Sequence, residues 1–185
     1  IMNIYISKGC LIANVNIDNN YLSKVPEQYI DNQKKRDNNK YHITIIFNNE
    51  YNLDKLDSYM NEIHNELLFN FGLGKINKGA NEVYYLVVYF DYFNRIRKQC
   101  GLAIQNIYHI TLGFKFNDIH NINKGLDTII CKNPNINKEF IHKINNISIL
   151  QYIEKEYNYK DDKLPILLLK NKVNELDCQY LINNK

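Results

Sequence analysis

The same four residues occur twice in this chain, as Tyr41-His42-Ile43-Thr44 and as Tyr108-His109-Ile110-Thr111, and each copy runs on into apolar, strand-forming sequence. With only three threonines and five histidines in 185 residues, composition alone does not account for two His-x-Thr matches. The pattern constrains the fold because alternate side chains of a strand project to the same face. His42 and Thr44 therefore point one way and Ile43 the other, into a core; His109, Thr111 and Ile110 repeat the arrangement. Two such strands set side by side across a cleft would present two imidazoles and two hydroxyls to one small anion.

The chemistry of those groups suits a phosphate. Imidazole titrates near pH ~6.5, so one histidine accepts a proton while the other donates one, and two similar rings put the productive state near neutrality. Threonine hydroxyls donate to non-bridging oxygens, where charge accumulates during displacement at phosphorus. The candidate catalytic residues are His42, His109, Thr44 and Thr111, with both threonines also binding the phosphate. Lys115 shares strand parity with His109 and Thr111 and is expected at the cleft's rim, as a charge for a second phosphate.

On these residues the chain resembles the 2H phosphoesterase superfamily, defined by a pair of His-x-(Thr/Ser) motifs, usually followed by an apolar position. The resemblance is close over 41–47 and 108–114 and looser between them, and no motif is recognisable beyond residue 117. It implies an α+β, bilobal fold, two antiparallel sheets flanked by helices around a central cleft, each lobe supplying one motif, in a single domain over 1–185. It also implies a metal-independent phosphoric diester hydrolase without a cofactor, acting on RNA ends, 2′,3′-cyclic phosphates or 2′-5′ linkages. The partner is then an RNA or nucleotide substrate. Two other readings stand beside it: a hydrolase of 2′-5′ oligoadenylate or cyclic dinucleotide signals, as a virus disarming host defence would use, and a module that binds a nucleotide without cleaving it. Which histidine is the acid is not legible in the sequence.

Composition excludes several alternatives. Apolar residues make up 45% of the chain and aromatic residues 12%, too much for disorder, and 185 residues suffice for a core of their own. A formal charge of +3 is too small to mark a nucleic-acid binder by electrostatics alone. Cys10, Cys100, Cys131 and Cys178 form no C-x-x-C pair, and His64, His120 and His142 lack metal-ligand spacing, so no metal site is expected. The apolar run 84–90 is far short of a membrane span. A soluble, cytoplasmic monomer is expected, in which the acceptor sequence Asn146-Ile147-Ser148 meets no glycosylation machinery. The loop Gly72-Leu73-Gly74-Lys75 lacks the full phosphate-cradle pattern, and Lys34-Lys35-Arg36 reads first as a solvated loop and second as a basic cluster that bends over the cleft to attract a polyanion.

Periodicity predicts strands over 3–17, 41–47, 82–90, 108–114, 147–153 and 165–169. The polar stretch 18–40 reads as a short helix or turn leading into an exposed loop. Apolar residues stepping by three or four predict an amphipathic helix over 53–71, with its flank at His64 and its stop at Gly72 and Gly74. A second helix is expected over 91–103, burying Phe93, Ile96 and Cys100 and exposing Arg95, Arg97 and Lys98. The strand tyrosines Tyr84, Tyr85 and Tyr89 read as core before they read as base-stacking platforms.

Overall fold

Each repeated tetrapeptide opens the outermost strand of its own antiparallel sheet. The computed structural model describes residues 2–51, 63–64, 68–135, 138–142, 144, 146–160 and 162–183. The first sheet has the order β3-β2-β1-β4, from β1 (Met2–Ser7), β2 (Cys10–Val15), β3 (Tyr41–Ile46) and β4 (Ile63–His64). The second has the order β7-β6-β5-β8, from β5 (Phe69–Lys78), β6 (Asn81–Tyr89), β7 (Tyr108–Phe114) and β8 (Ile129–Lys132). With helices on these sheets, this is the expected α+β architecture.

Strand parity behaves as the sequence requires. In β3, Ile43 and Ile45 are fully buried while His42 and Thr44 stay half-buried on the other face. In β7, Ile110 and Leu112 join the same core as Ile43 and Ile45, so the two edge strands pack against each other and share one apolar interior. Each such side chain removed from water contributes roughly 1.5–3 kcal/mol before entropy is charged against it. The core thus clamps the two motif strands from behind and leaves His42, Thr44 and His109 partly exposed, with Thr111 buried.

Helix α1 (Asn19–Leu22) and helix α2 (Glu27–Asp37) fill the stretch read as a turn and an exposed loop. Glu27 stands in the first turn of α2 and Lys34, Lys35 and Arg36 in the last, which complements the helix dipole at both ends, and Asn38 closes it in the left-handed conformation. A Cβ at Gly113 would come within 2.8 Å of the Tyr29 backbone, so only glycine lets α2 settle this closely on β7. Asn32 fastens the contact by donating to the carbonyls of Phe114 (3.0 Å) and Lys115 (2.7 Å). The basic cluster is therefore helical, with Lys34 and Lys35 exposed and Arg36 turned inward.

Helix α3 (Asp91–Gln99) is shorter than expected, and Arg97 is buried rather than exposed. Glu50 accepts from it at 2.6 and 3.0 Å, and the carbonyls of Ile45 (2.8 Å) and Ala103 (2.7 Å) accept from two more of its N–H groups. A guanidinium paired with a carboxylate and two carbonyls is tolerated in an interior that rejects an unpaired one. Tyr85 and Tyr89 are buried, as expected of core residues.

The helix expected over 53–71 is contradicted at its end. Residues 52–62 and 65–67 lie outside the described residues, but Ile63 and His64 pair with Asn3 and Met2, and 69–71 begin β5. Gly72 and Gly74 lie inside that strand and stop no helix. Gly72 sits at a bulge with φ +134, where a Cβ would fall 2.2 Å from the Cys131 carbonyl oxygen. Ile63 and Phe71, the two residues of that spacing among the described residues, belong to different strands.

By its contacts the chain divides into two compact units, Ile1–Pro134 and Asn135–Lys185. Both motifs and both sheets belong to the first. The second consists of α4 (Lys138–Ile141), α5 (Ile147–Tyr157) and α6 (Lys163–Asn183), so the segments 147–153 and 165–169 are helical and not strands. Asn146 caps α5 by accepting from the Ile149 amide at 3.1 Å, and Lys163 donates to the carbonyls of Ile141, His142 and Ile144. Among the described residues no helix is long and apolar enough to cross a membrane.

Candidate active site

His42, Thr44, His109 and Thr111 all line one cleft of about 930 Å³ in the first unit. His42 stands opposite Asn14 of β2 and Thr44 opposite Ile12, while His109 and Thr111 stand opposite Val87 and Tyr85 of β6. Lys115 does not line the cleft. It is exposed just beyond β7, with its ammonium 5.2 Å from the centre of the Phe116 ring.

Charged side chains that the sequence reading did not assign to the site surround the two rings. The hub is Asp118, whose carboxylate accepts from Arg36 (2.5 Å), Lys124 (3.0 Å) and the Thr111 hydroxyl (3.2 Å). Burial would raise the Asp118 carboxyl, but Lys124 and Arg36 outweigh it and hold it well below the usual carboxylate range. Lys124 is itself buried, and burial lowers its ammonium against the pull of Asp118. Arg36 also forks onto Asp37, with its nearest contact at 2.6 Å.

The two rings lie in unequal fields. Lys124 Nζ lies 3.4 Å from His109 Nε2, and Asp37 Oδ2 lies 3.8 Å from His42 Nδ1. Burial is the main cause that lowers His42; Asp37 pulls it back up while Arg36 and Lys8 push it down further. Burial and then Lys124 drive His109 down to about 3, with Asp118 opposing them. Both rings are therefore neutral at pH 7 in the free protein, which moves the productive window from neutrality toward acid. Tyr85 presents its ring edge to His109 at 6.0 Å between centroids and donates its hydroxyl to Thr128 at 2.6 Å. Burial pushes that phenol up to about 12, so it stays protonated.

Little in the sequence pointed to this charge cluster. Arg36 belonged to a visible basic run, but its entry into the site depends on α2 ending beside β7. Asp118 and Lys124 are isolated in an asparagine-rich stretch, without spacing that marks them. Among the described residues no three His, Cys, Asp or Glu side chains gather as metal ligands would, and Cys10, Cys100 and Cys131 are free thiols.

The arrangement holds two proton-transfer groups, two hydroxyls, the buried ammonium of Lys124 and the partly buried guanidinium of Arg36 around one cavity, which matches the needs of displacement at phosphorus. The comparison with known families agrees. A family model described as Swiss Army Knife, 2H phosphoesterase domain, matches residues 11–120, more than half of the chain, and takes in both motifs. No curated protein and no solved structure matches the chain. Two intact His-x-Thr motifs on facing edge strands, within a matched segment that spans them both, place this chain in the 2H phosphoesterase family, with a phosphodiesterase-type function.

Proposed function

We propose that the protein is a metal-independent phosphodiesterase acting on RNA ends, 2′,3′-cyclic phosphates or 2′-5′ linkages. The observation that carries this reading is that all four motif side chains line one cleft, which lets both imidazoles act on a single phosphate. One histidine takes the proton of an incoming water as its oxygen bonds to phosphorus. The other gives a proton to the ribose oxygen as the bond between that oxygen and phosphorus breaks. Thr44 and Thr111 donate to the non-bridging oxygens.

The rest of the cleft supports a nucleotide ligand. Its volume lies near the upper end of the ~300–1,000 Å³ typical of small-molecule sites. Amide side chains at Asn38, Asn48, Asn49, Gln105 and Asn121 offer the paired donors and acceptors that base edges require, and Phe47 is a partly exposed ring on the same wall. The test is a substrate panel in EDTA: 2′,3′-cyclic nucleotides, 2′-5′ oligoadenylate, cyclic dinucleotides and oligonucleotides with defined 3′ ends. Turnover of a ribose phosphodiester unaffected by the chelator is the expected result. Binding without turnover of any member, or activity that returns only with added manganese or zinc, would contradict the proposal.

A further inference from the structure

We infer that His109 is the proton acceptor of the pair and His42 the proton donor, and that Lys124 and Asp37, through their contacts with the two rings, divide these roles. The chemical meaning of the division rests on the phosphodiesterase reading above. The placement of the proton is a property of the free protein and is testable by itself.

The two tetrapeptides are identical, so any difference between the rings comes from what faces them. A proton added to His109 would lie beside an ammonium whose nitrogen is 3.4 Å from Nε2. Lys124 is fixed there, since its side chain is 4% exposed and Asp118 holds it at 3.0 Å. Asp118, His42 and His120 also face His109; the carboxylate favours its protonation and the two rings oppose it. A proton added to His42 would lie beside a carboxylate 3.8 Å from Nδ1. Arg36, Lys8 and Asp118 also face His42, and Arg36 is already shared between Asp37 and Asp118. When the pair holds a single proton, it therefore belongs on His42.

This assignment supplies a complete cycle. The Asp37 carboxylate, 3.8 Å from His42 Nδ1, favours a proton on that nitrogen, which leaves Nε2–H to protonate the departing ribose oxygen. A phosphate anion is a stronger acceptor than a neutral imidazole nitrogen, so the arriving substrate accepts from the Lys124 N–H that faced His109 Nε2 while the ammonium stays against Asp118. His109 Nε2 then takes the proton of the attacking water. Exchange with solvent returns the two rings to their starting states. Lys124 lies beyond the segment that the family model matches, so the family motif alone does not identify it.

The experiment is a titration of the histidine ring signals by NMR on the full chain, for wild type and for Lys124→Met, Lys124→Arg and Asp37→Asn. In wild type His42 should take its proton at a higher pH than His109. Lys124→Met should raise the proton affinity of His109 at least about tenfold, Lys124→Arg should restore it, and Asp37→Asn should lower that of His42. On the best substrate, the acid limb of the pH profile should move up in Lys124→Met and the alkaline limb down in Asp37→Asn. Protonation of His109 before His42 in wild type would overturn the inference, and that reading needs no variant to fold. A His109 that titrates unchanged in a folded Lys124→Met protein would overturn it as well. If no phosphodiester is turned over, the functional reading fails, and the ring titrations still decide where the proton sits.

Discussion

Tyr41-His42-Ile43-Thr44 and Tyr108-His109-Ile110-Thr111 share every residue, one apolar core and one cleft, but not the partners of their polar side chains. The Tyr108 hydroxyl donates to Asn94 at 2.8 Å inside the core, whereas the hydroxyl of Tyr41 is buried without a partner among the described residues. Thr111 donates to Asp118 at 3.2 Å, while the Thr44 hydroxyl has no protein partner among the described residues and is ready for a ligand. His109 faces an ammonium and His42 a carboxylate. A repeated motif thus fixes which chemistry is present, and the residues packed against it decide which member does what.

The sharpest way to break the comparison is to remove one ring at a time. His42→Ala and His109→Ala should each lower kcat/KM by about two to four orders of magnitude with the fold intact by circular dichroism, because acid and base act in the same step. A folded single variant that kept near wild-type turnover would remove the pair from the mechanism. The threonines come next. Thr44→Val and Thr111→Val should each lose roughly 10- to 100-fold, the value of one hydrogen bond to developing charge. Unchanged rates on the best substrate would separate the hydroxyls from the phosphate.

A stability measurement tests the field around His109 without any substrate. Its ring is held at about 3 in the folded protein against an ordinary value of 6.5, so between those values the unfolded chain binds a proton that the folded chain refuses. The stability from this group is fully present above pH 6.5 and is lost as pH falls toward 3. Urea midpoints should fall over that window in wild type and less steeply in His109→Gln; equal slopes would contradict the field described. The smallest effect is expected at Lys115. Its side chain lies outside the cleft lining, so Lys115→Ala should change kcat/KM by no more than about twofold. A large rise in KM would return it to the substrate site.

The motif strands were legible because period-2 alternation and an unusual repeated tetrapeptide coincide in both. Strand parity then placed His42 with Thr44 and His109 with Thr111 correctly. What could not be read was anything set by long-range packing. Arg36 reaches Asp118 only because Gly113 admits α2 onto β7, and Arg97 is buried only because Glu50 and two carbonyls meet it. Lys115 was placed by parity alone, but the cleft lining does not include it, and the lysine beside His109 is Lys124, which no pattern marked. Helical periodicity misled at 69–71, where Phe69 and Phe71 keep the alternation of a strand, although Phe71 also stands eight residues after Ile63, which suits a helix. Beyond residue 134 the apolar runs suited strand and helix equally well, and the chain chose helices.

The most direct measurement of the central claim is the pH dependence of kcat/KM on the best ribose phosphodiester in the presence of EDTA. A single-proton pair predicts a bell. Both rings are shifted below their ordinary value of 6.5, so its maximum should lie on the acid side of neutrality, and the alkaline limb should report the loss of the proton on His42. A rate that climbs without a maximum from about pH 5 to about pH 10 would indicate a single base or a metal-bound hydroxide, and would contradict the acid–base pair.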